Sequence, residues 1–212
     1  MESIKVKICG LTCFQDVEAA LHNGANYLGF IVEAQSVRKL SVKQAAKLSS
    51  PAAGIAKCVA VTVNPSEKLL KHIANIMRPD YLQFHGQEDL ETVRAAKRLT
   101  NIPIIKAIQI RTKKDLENAR SFEGVTDYIL LDAKPPNGAR QQGGHGLNFE
   151  WNLLKGFTSK TPLILAGGLS ARNIKAAKAT GINFFDVSSG VESKAGVKDS
   201  SLIRDFMKAA HE

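Results

Sequence analysis

The 212-residue chain has few of the features that mark several protein classes. Its three cysteines (Cys9, Cys13 and Cys58) are too few for a disulfide-stapled scaffold, and no set of them has zinc-ligand spacing. Cys9 and Cys13 form C-x-x-x-C rather than a redox C-x-x-C, so all three are expected to be reduced thiols. Aromatic residues are scarce, and none alternate with basic residues in the way that stacks on single-stranded nucleic acid. No apolar run approaches the roughly 18 residues that span a bilayer. The start, MESIKVKICG, interleaves lysines with apolar residues and lacks a continuous apolar signal segment. Linkers, low-complexity tracts and composition shifts are also missing. The expectation is a soluble cytoplasmic protein with one domain over residues 1–212, binding neither nucleic acid nor membrane.

Apolar residues make up 44% of the chain, ample for a sizeable core. The 29 Lys and Arg outnumber the 20 Asp and Glu, giving a net charge of +9. Such a bias suits an anionic partner, either nucleic acid or a phosphorylated small molecule, although the lysines are spread along the whole chain. At this length a trimmed (βα)₈ barrel is admissible, since about 200 residues is the lower edge for that fold.

Short β-rich runs alternate with amphipathic helical stretches throughout. Candidate strands begin near Ile4, Tyr27, Lys57, Asp80, Ile104, Tyr128, Leu163 and Phe184. Eight strands alternating with helices at near-constant spacing point to a parallel sheet closed into a barrel, with an open doubly wound sheet as the fallback. Thr12 with Gln15 and Ser41 with Gln44 have capping-box spacing, Asn64-Pro65-Ser66-Glu67 places a proline at a helix start, and Gly24 suits a helix C-cap. A Gly- and Pro-rich interval over 133–149 is expected to stand over the catalytic face of the barrel.

Strand parity sorts the side chains, because successive residues point to opposite faces. Helices cover the outside, so Val6, Ile8, Leu82, Phe84, Ile129 and Leu131 are expected to face outward. Lys7, Cys9, Gln83, His85, Leu130, Asp132, Asp186 and Ser188 then face inward. Cys9, His85, Asp132 and Asp186 meet near the carboxyl ends of their strands, where barrel enzymes build their sites. Lys7, beneath Cys9, is expected to favour the thiolate. Ala166-Gly167-Gly168-Leu169-Ser170 and Asp186 to Glu192 follow strands seven and eight, where backbone N–H groups commonly cradle phosphate.

Several segments carry a family resemblance: K-I-C-G-L-T at Lys7 to Thr12, Q-F-H-G at Gln83 to Gly86, L-L-D at Leu130 to Asp132, L-A-G-G-L at Leu165 to Leu169 and D-V-S-S-G-V-E at Asp186 to Glu192. In that order, and with Ser36-Val37-Arg38 after strand two, the chain resembles phosphoribosylanthranilate isomerase. The resemblance implies a (βα)₈ barrel of tryptophan biosynthesis that uses no metal or organic cofactor. The implied reaction is the Amadori rearrangement of N-(5-phosphoribosyl)anthranilate to 1-(2-carboxyphenylamino)-1-deoxyribulose 5-phosphate. By motif, Cys9 corresponds to the general base and Asp132 to the general acid. Arg38, His85 and Asp186 correspond to substrate-binding residues, and Gly167, Gly168, Ser188, Ser189 and Gly190 to the phosphate site. The family includes monomers and dimers; a monomer is expected here, with a homodimer as the alternative. Departures from the family pattern are Val37 in place of a frequent proline, His145 at a position more often small and polar, and Glu150 in place of aspartate. Other phosphosugar barrels are the rivals. A histidine-pathway isomerase has aspartate where Cys9 stands, and a ribulose-phosphate epimerase needs metal ligands that the strand ends do not supply convincingly.

Overall fold

The computed structural model describes residues 3–132, 151–154 and 156–212; the interval 133–149, with His145, and Glu150 lie outside the described residues. Eight strands form the barrel: β1 (Lys5–Cys9), β2 (Tyr27–Val32), β3 (Lys57–Thr62), β4 (Tyr81–Phe84), β5 (Ile104–Gln109), β6 (Tyr128–Asp132), β7 (Leu163–Ala166) and β8 (Phe184–Val187). Each pairs in parallel with the next, and β8 returns to β1 with Lys7 opposite Asp186, so the sheet closes. Seven helices of four or more residues are seen among the described residues: α1 (Phe14–His22), α2 (Val42–Ser49), α3 (Glu67–Ile76), α4 (Leu90–Thr100), α5 (Lys113–Ser121), α6 (Ile174–Lys178) and α7 (Ser200–His211). No helix among the described residues is long and apolar enough to cross a membrane.

The strands are almost continuously apolar because both of their faces are covered. Alternation divides their side chains into two layers. Val6, Ile8, Leu82, Phe84, Ile129 and Leu131 pack outward in the core shared with the helices. Cys9, Val59, Val61, Ile105, Ala107, Leu130 and Ile164 fill the barrel interior. The floor of the interior is a ring of four aromatics from alternate strands, Tyr27, Tyr81, Tyr128 and Phe184. Successive ring centroids lie 5.8, 5.7, 5.5 and 4.6 Å apart around this closed square. Such spacing adds edge and offset aromatic attraction to the burial of large apolar surfaces.

Local chemistry sets most of the helix ends. Ser41 and Gln44 make the expected capping box at α2. Gly24, at φ +80°, follows α1 with Ala25 N–H donating to Ala20 O and Gly24 N–H to Leu21 O, the paired bonds of a Schellman motif. Two expectations are corrected. α1 starts one residue later than its proposed cap, with Cys13 at the N-cap, and Thr12 instead bonds Asp16 and Gly196 O at the long distance of 3.4 Å. Ser66, not Asn64, caps α3, which puts Pro65 just outside the helix. Both slips are small because the Thr and Pro still end the preceding loop, where a helix start is nucleated.

Truncating Phe184 to alanine removes one side of the aromatic square. It is expected to cost about 3–5 kcal/mol in urea unfolding. A loss below about 1 kcal/mol would show that the floor repacks without it.

Candidate active site

Four strands bring a connected set of polar groups to the carboxyl end of the barrel. Lys7 on β1 is fully buried, and its ammonium donates to Gln83 Oε1 at 2.7 Å and Asp186 Oδ2 at 2.9 Å. Gln83 Nε2 lies 3.1 Å from His85 Nδ1, and His85 Nε2 lies 3.2 Å from Asp132 Oδ2. A chain of contacts therefore runs Asp186, Lys7, Gln83, His85, Asp132 across the barrel. Burial opposes the charge on Lys7, but Asp186 and Cys9 together outweigh it and hold the ammonium above its ordinary range. Among the described residues, Asp186 Oδ1 is the one buried side-chain polar atom with no hydrogen-bond partner.

Cys9 sits beside this chain, buried in the interior. Room for it comes from Gly29 on β2, where a Cβ would stand 2.8 Å from Cys9 Sγ and 2.9 Å from Lys7 Cε. Lys7 acts on Cys9 in the expected direction, favouring the thiolate, but burial is the larger influence. Burial pushes the Cys9 thiol up, and the Lys7 ammonium, though it pulls the other way, does not reverse the shift. Cys13 and Cys58 stand outside the polar chain, and all three thiols are free.

Arg38 lies over Gly10, whose φ of +79° and lack of a side chain let the arginine stem pass; a Cβ there would be 2.5 Å from Arg38 Cδ. Its guanidinium grips Glu192, with Nε to Oε1 at 2.7 Å and Nη2 to Oε2 at 2.5 Å. Lys198 completes a cluster, donating to Glu192 Oε1 at 2.7 Å and to Ser188 O at 3.1 Å. Burial works against charge on Glu192, but hydrogen bonds from Arg38 and Lys198 overcome it and hold the carboxyl down to about 2.

The two glycine segments come together. Gly167 and Gly168 adopt φ of +95° and +66° after β7. Asn173 ties this loop, accepting from Ser170 N–H at 2.8 Å and donating to Gly168 O at 2.9 Å. The segment does not open directly into a helix: α6 begins only at Ile174. Gly190 touches the same loop so closely that a Cβ would meet Leu169 O at 1.8 Å. Ser188 and Ser189 follow β8 beside it.

The structure thus gathers Cys9, His85, Asp132 and Asp186 at one end of the barrel, with Arg38 and the Gly167, Gly168, Ser188, Ser189 and Gly190 loops around the mouth. Sequence reasoning assigned no role to Gln83, Glu192 or Lys198. Gln83 carried an available signal, a polar residue at an inward strand position. Glu192 lies 154 residues from Arg38, and no local pattern joins them. Among the described residues, no group of three or more His, Cys, Asp or Glu side chains could hold a metal ion.

A closed parallel barrel whose strand ends gather a thiol, an imidazole and carboxyl groups beside glycine-rich loops is a (βα)₈-barrel enzyme with acid–base equipment. Comparison with known proteins narrows the class. A sequence model described as N-(5'phosphoribosyl)anthranilate (PRA) isomerase matches residues 6–209. The N-(5'-phosphoribosyl)anthranilate isomerase of Chelativorans sp. (strain BNC1) is 44% identical over 210 residues, covering 97% of this chain and 95% of that protein. The crystal structure of phosphoribosyl anthranilate isomerase from Thermotoga maritima superposes with a TM-score of 0.85 at 32% identity, covering 98% of each chain. A further isomerase structure, in complex with reduced 1-(o-carboxyphenylamino)-1-deoxyribulose 5-phosphate, matches with a TM-score of 0.82 at 30% identity and 98% of each chain. The chain belongs to the N-(5'-phosphoribosyl)anthranilate isomerase family.

The depressed Glu192 carboxyl makes a pH prediction with a definite sign. A group whose pKa falls on folding stabilises the fold above its ordinary value of 4.5, and that stabilisation is lost as pH drops toward about 2. The Tm gap between the wild type and Glu192→Gln should be full above pH 4.5 and shrink on acidification toward pH 2. A gap that stays constant through this window would show that the Glu192 charge does not clamp Arg38 and Lys198.

Proposed function

We propose that this protein converts N-(5-phosphoribosyl)anthranilate to 1-(2-carboxyphenylamino)-1-deoxyribulose 5-phosphate in tryptophan biosynthesis, with Cys9 as general base and Asp132 as general acid. The observation that carries this reading is the placement of a thiol on β1 and a carboxyl at the end of β6, on well-separated strands at the same end of one barrel. Asp132 gives a proton to the ribose ring oxygen as the bond from that oxygen to C1′ breaks, and a protonated Schiff base forms between C1′ and the anilino nitrogen. The C2′ proton is then acidic, and the Cys9 thiolate removes it; the electron pair forms the C1′–C2′ double bond of an enolamine. Tautomerisation to the ketone places a proton on C1′ and releases one from the C2′ hydroxyl, which restores thiolate and carboxyl.

Burial raises the thiol and so works against the resting thiolate, and the Lys7 ammonium beside it compensates in part. The remaining residues fit the substrate's two anionic ends. The phosphate is assigned to the backbone of Gly167, Gly168, Ser188, Ser189 and Gly190, with the Lys198 ammonium 3.1 Å from Ser188 O supplying nearby positive charge. Arg38 spends two N–H groups on Glu192, and the rest of its five donors are available to the anthranilate carboxylate. His85 lines the same side. The unpartnered Oδ1 of Asp186 accepts a donor from the substrate, either a sugar hydroxyl or the anilino N–H. The three free thiols suit a reducing compartment, which supports a cytoplasmic location.

Conversion is followed by the loss of anthranilate-type fluorescence when protein is added to phosphoribosylanthranilate generated in situ. Cys9→Ala and Asp132→Asn should each lower kcat by at least about 100-fold, with unchanged circular dichroism. Turnover near the wild-type rate in either variant would remove that residue from its role, and a wild type that leaves the fluorescence unchanged would defeat the assignment. Inorganic phosphate should compete with substrate; inhibition that leaves KM untouched would place the phosphate elsewhere.

A further inference from the structure

The chain from Lys7 to Asp132 has a polarity as well as a path. An ammonium can only donate, so the Gln83 atom 2.7 Å from Lys7 Nζ must be the amide oxygen. That leaves the Gln83 NH₂ facing His85 Nδ1 at 3.1 Å, and an amide nitrogen can only donate to it. Nδ1 is therefore an acceptor, and the neutral imidazole carries its proton on Nε2, the nitrogen 3.2 Å from Asp132 Oδ2. Neither end of this chain can be reversed without setting two donors against each other. Lys7 and Gln83 are both fully buried, so water is in no position to relieve a clash between their donors.

We infer that Lys7 and Gln83 are positioning residues that act through His85: they lock its Nε2–H tautomer, so that Asp132 Oδ2 accepts from it. This rests on the assignment of Asp132 as general acid. An imidazole free to change tautomer could take the carboxyl proton on Nε2 and spend it away from the substrate. With Nδ1 held by an N–H, His85 cannot become the other tautomer without breaking the Gln83 contact. The acid keeps its proton for the ring oxygen.

The test uses ¹⁵N-histidine-labelled protein, with the His85 signals assigned by their disappearance in His85→Gln. The wild type should show an unprotonated Nδ1 and a protonated Nε2; a protonated Nδ1 overturns the inference without any variant or activity measurement. Gln83→Glu replaces the donor by a carboxylate and should draw a proton onto Nδ1, with kcat falling at least about tenfold and KM little changed. In the His85→Gln background no tautomer exists to lock, so adding Gln83→Glu should cost no further kcat. An equal loss in both backgrounds would mean that Gln83 acts by packing or charge alone. Because the nitrogen signals are read without substrate, a failure of the proposed reaction stays distinguishable from a failure of the lock.

Discussion

A lysine ammonium buried inside a barrel is the constraint from which the rest of the site follows. Leaving such a charge unpaired in a low-dielectric interior costs several kcal/mol, so it must be matched by groups that reach the same point. Asp186 comes from the neighbouring strand β8, in direct register with Lys7, and Gln83 comes from β4 across the interior. Matching one charge thereby ties together three strands that are far apart in sequence. The ring of aromatics below keeps water away from the pair, and the polar groups above inherit a fixed orientation from it. Gly29 belongs to the same constraint, since any side chain there would press on both Lys7 and Cys9.

The mouth of the barrel is organised by a second set of contacts. Glu192 joins the loop after β2, through Arg38, to the segment after β8, through Lys198. Gly190 joins that segment to the loop after β7 by direct backbone approach. Three loops that would otherwise vary independently are thus referred to one another. The glycine-rich cradle is held by contacts that are mostly not to the ligand it is proposed to bind.

Much of this was legible in the sequence, for identifiable physical reasons. A strand buried on both faces announces itself by continuous apolar character, and the candidate starts fall within one residue of those observed, Ile4 against Lys5 and Asp80 against Tyr81 being the differences. Parity then placed Cys9, Asp132 and Asp186 inside, because alternation survives any error in the exact strand end. Contacts between distant segments were not legible. Nothing near Arg38 indicates that its fork is filled by Glu192, and nothing near Cys9 indicates that burial outweighs the lysine beside it. The helix caps slipped because Thr12 and Cys13, or Asn64 and Ser66, compete locally, and only the packed structure decides between them.

The aromatic floor has one more consequence. Its three tyrosines are all the tyrosines the chain possesses, so the phenol absorbance of the whole protein comes from a single layer of the barrel. Burial holds the hydroxyls of Tyr27 and Tyr81 above their ordinary range. The alkaline ultraviolet spectrum of this protein is consequently a built-in optical gauge of whether the bottom of the barrel is closed.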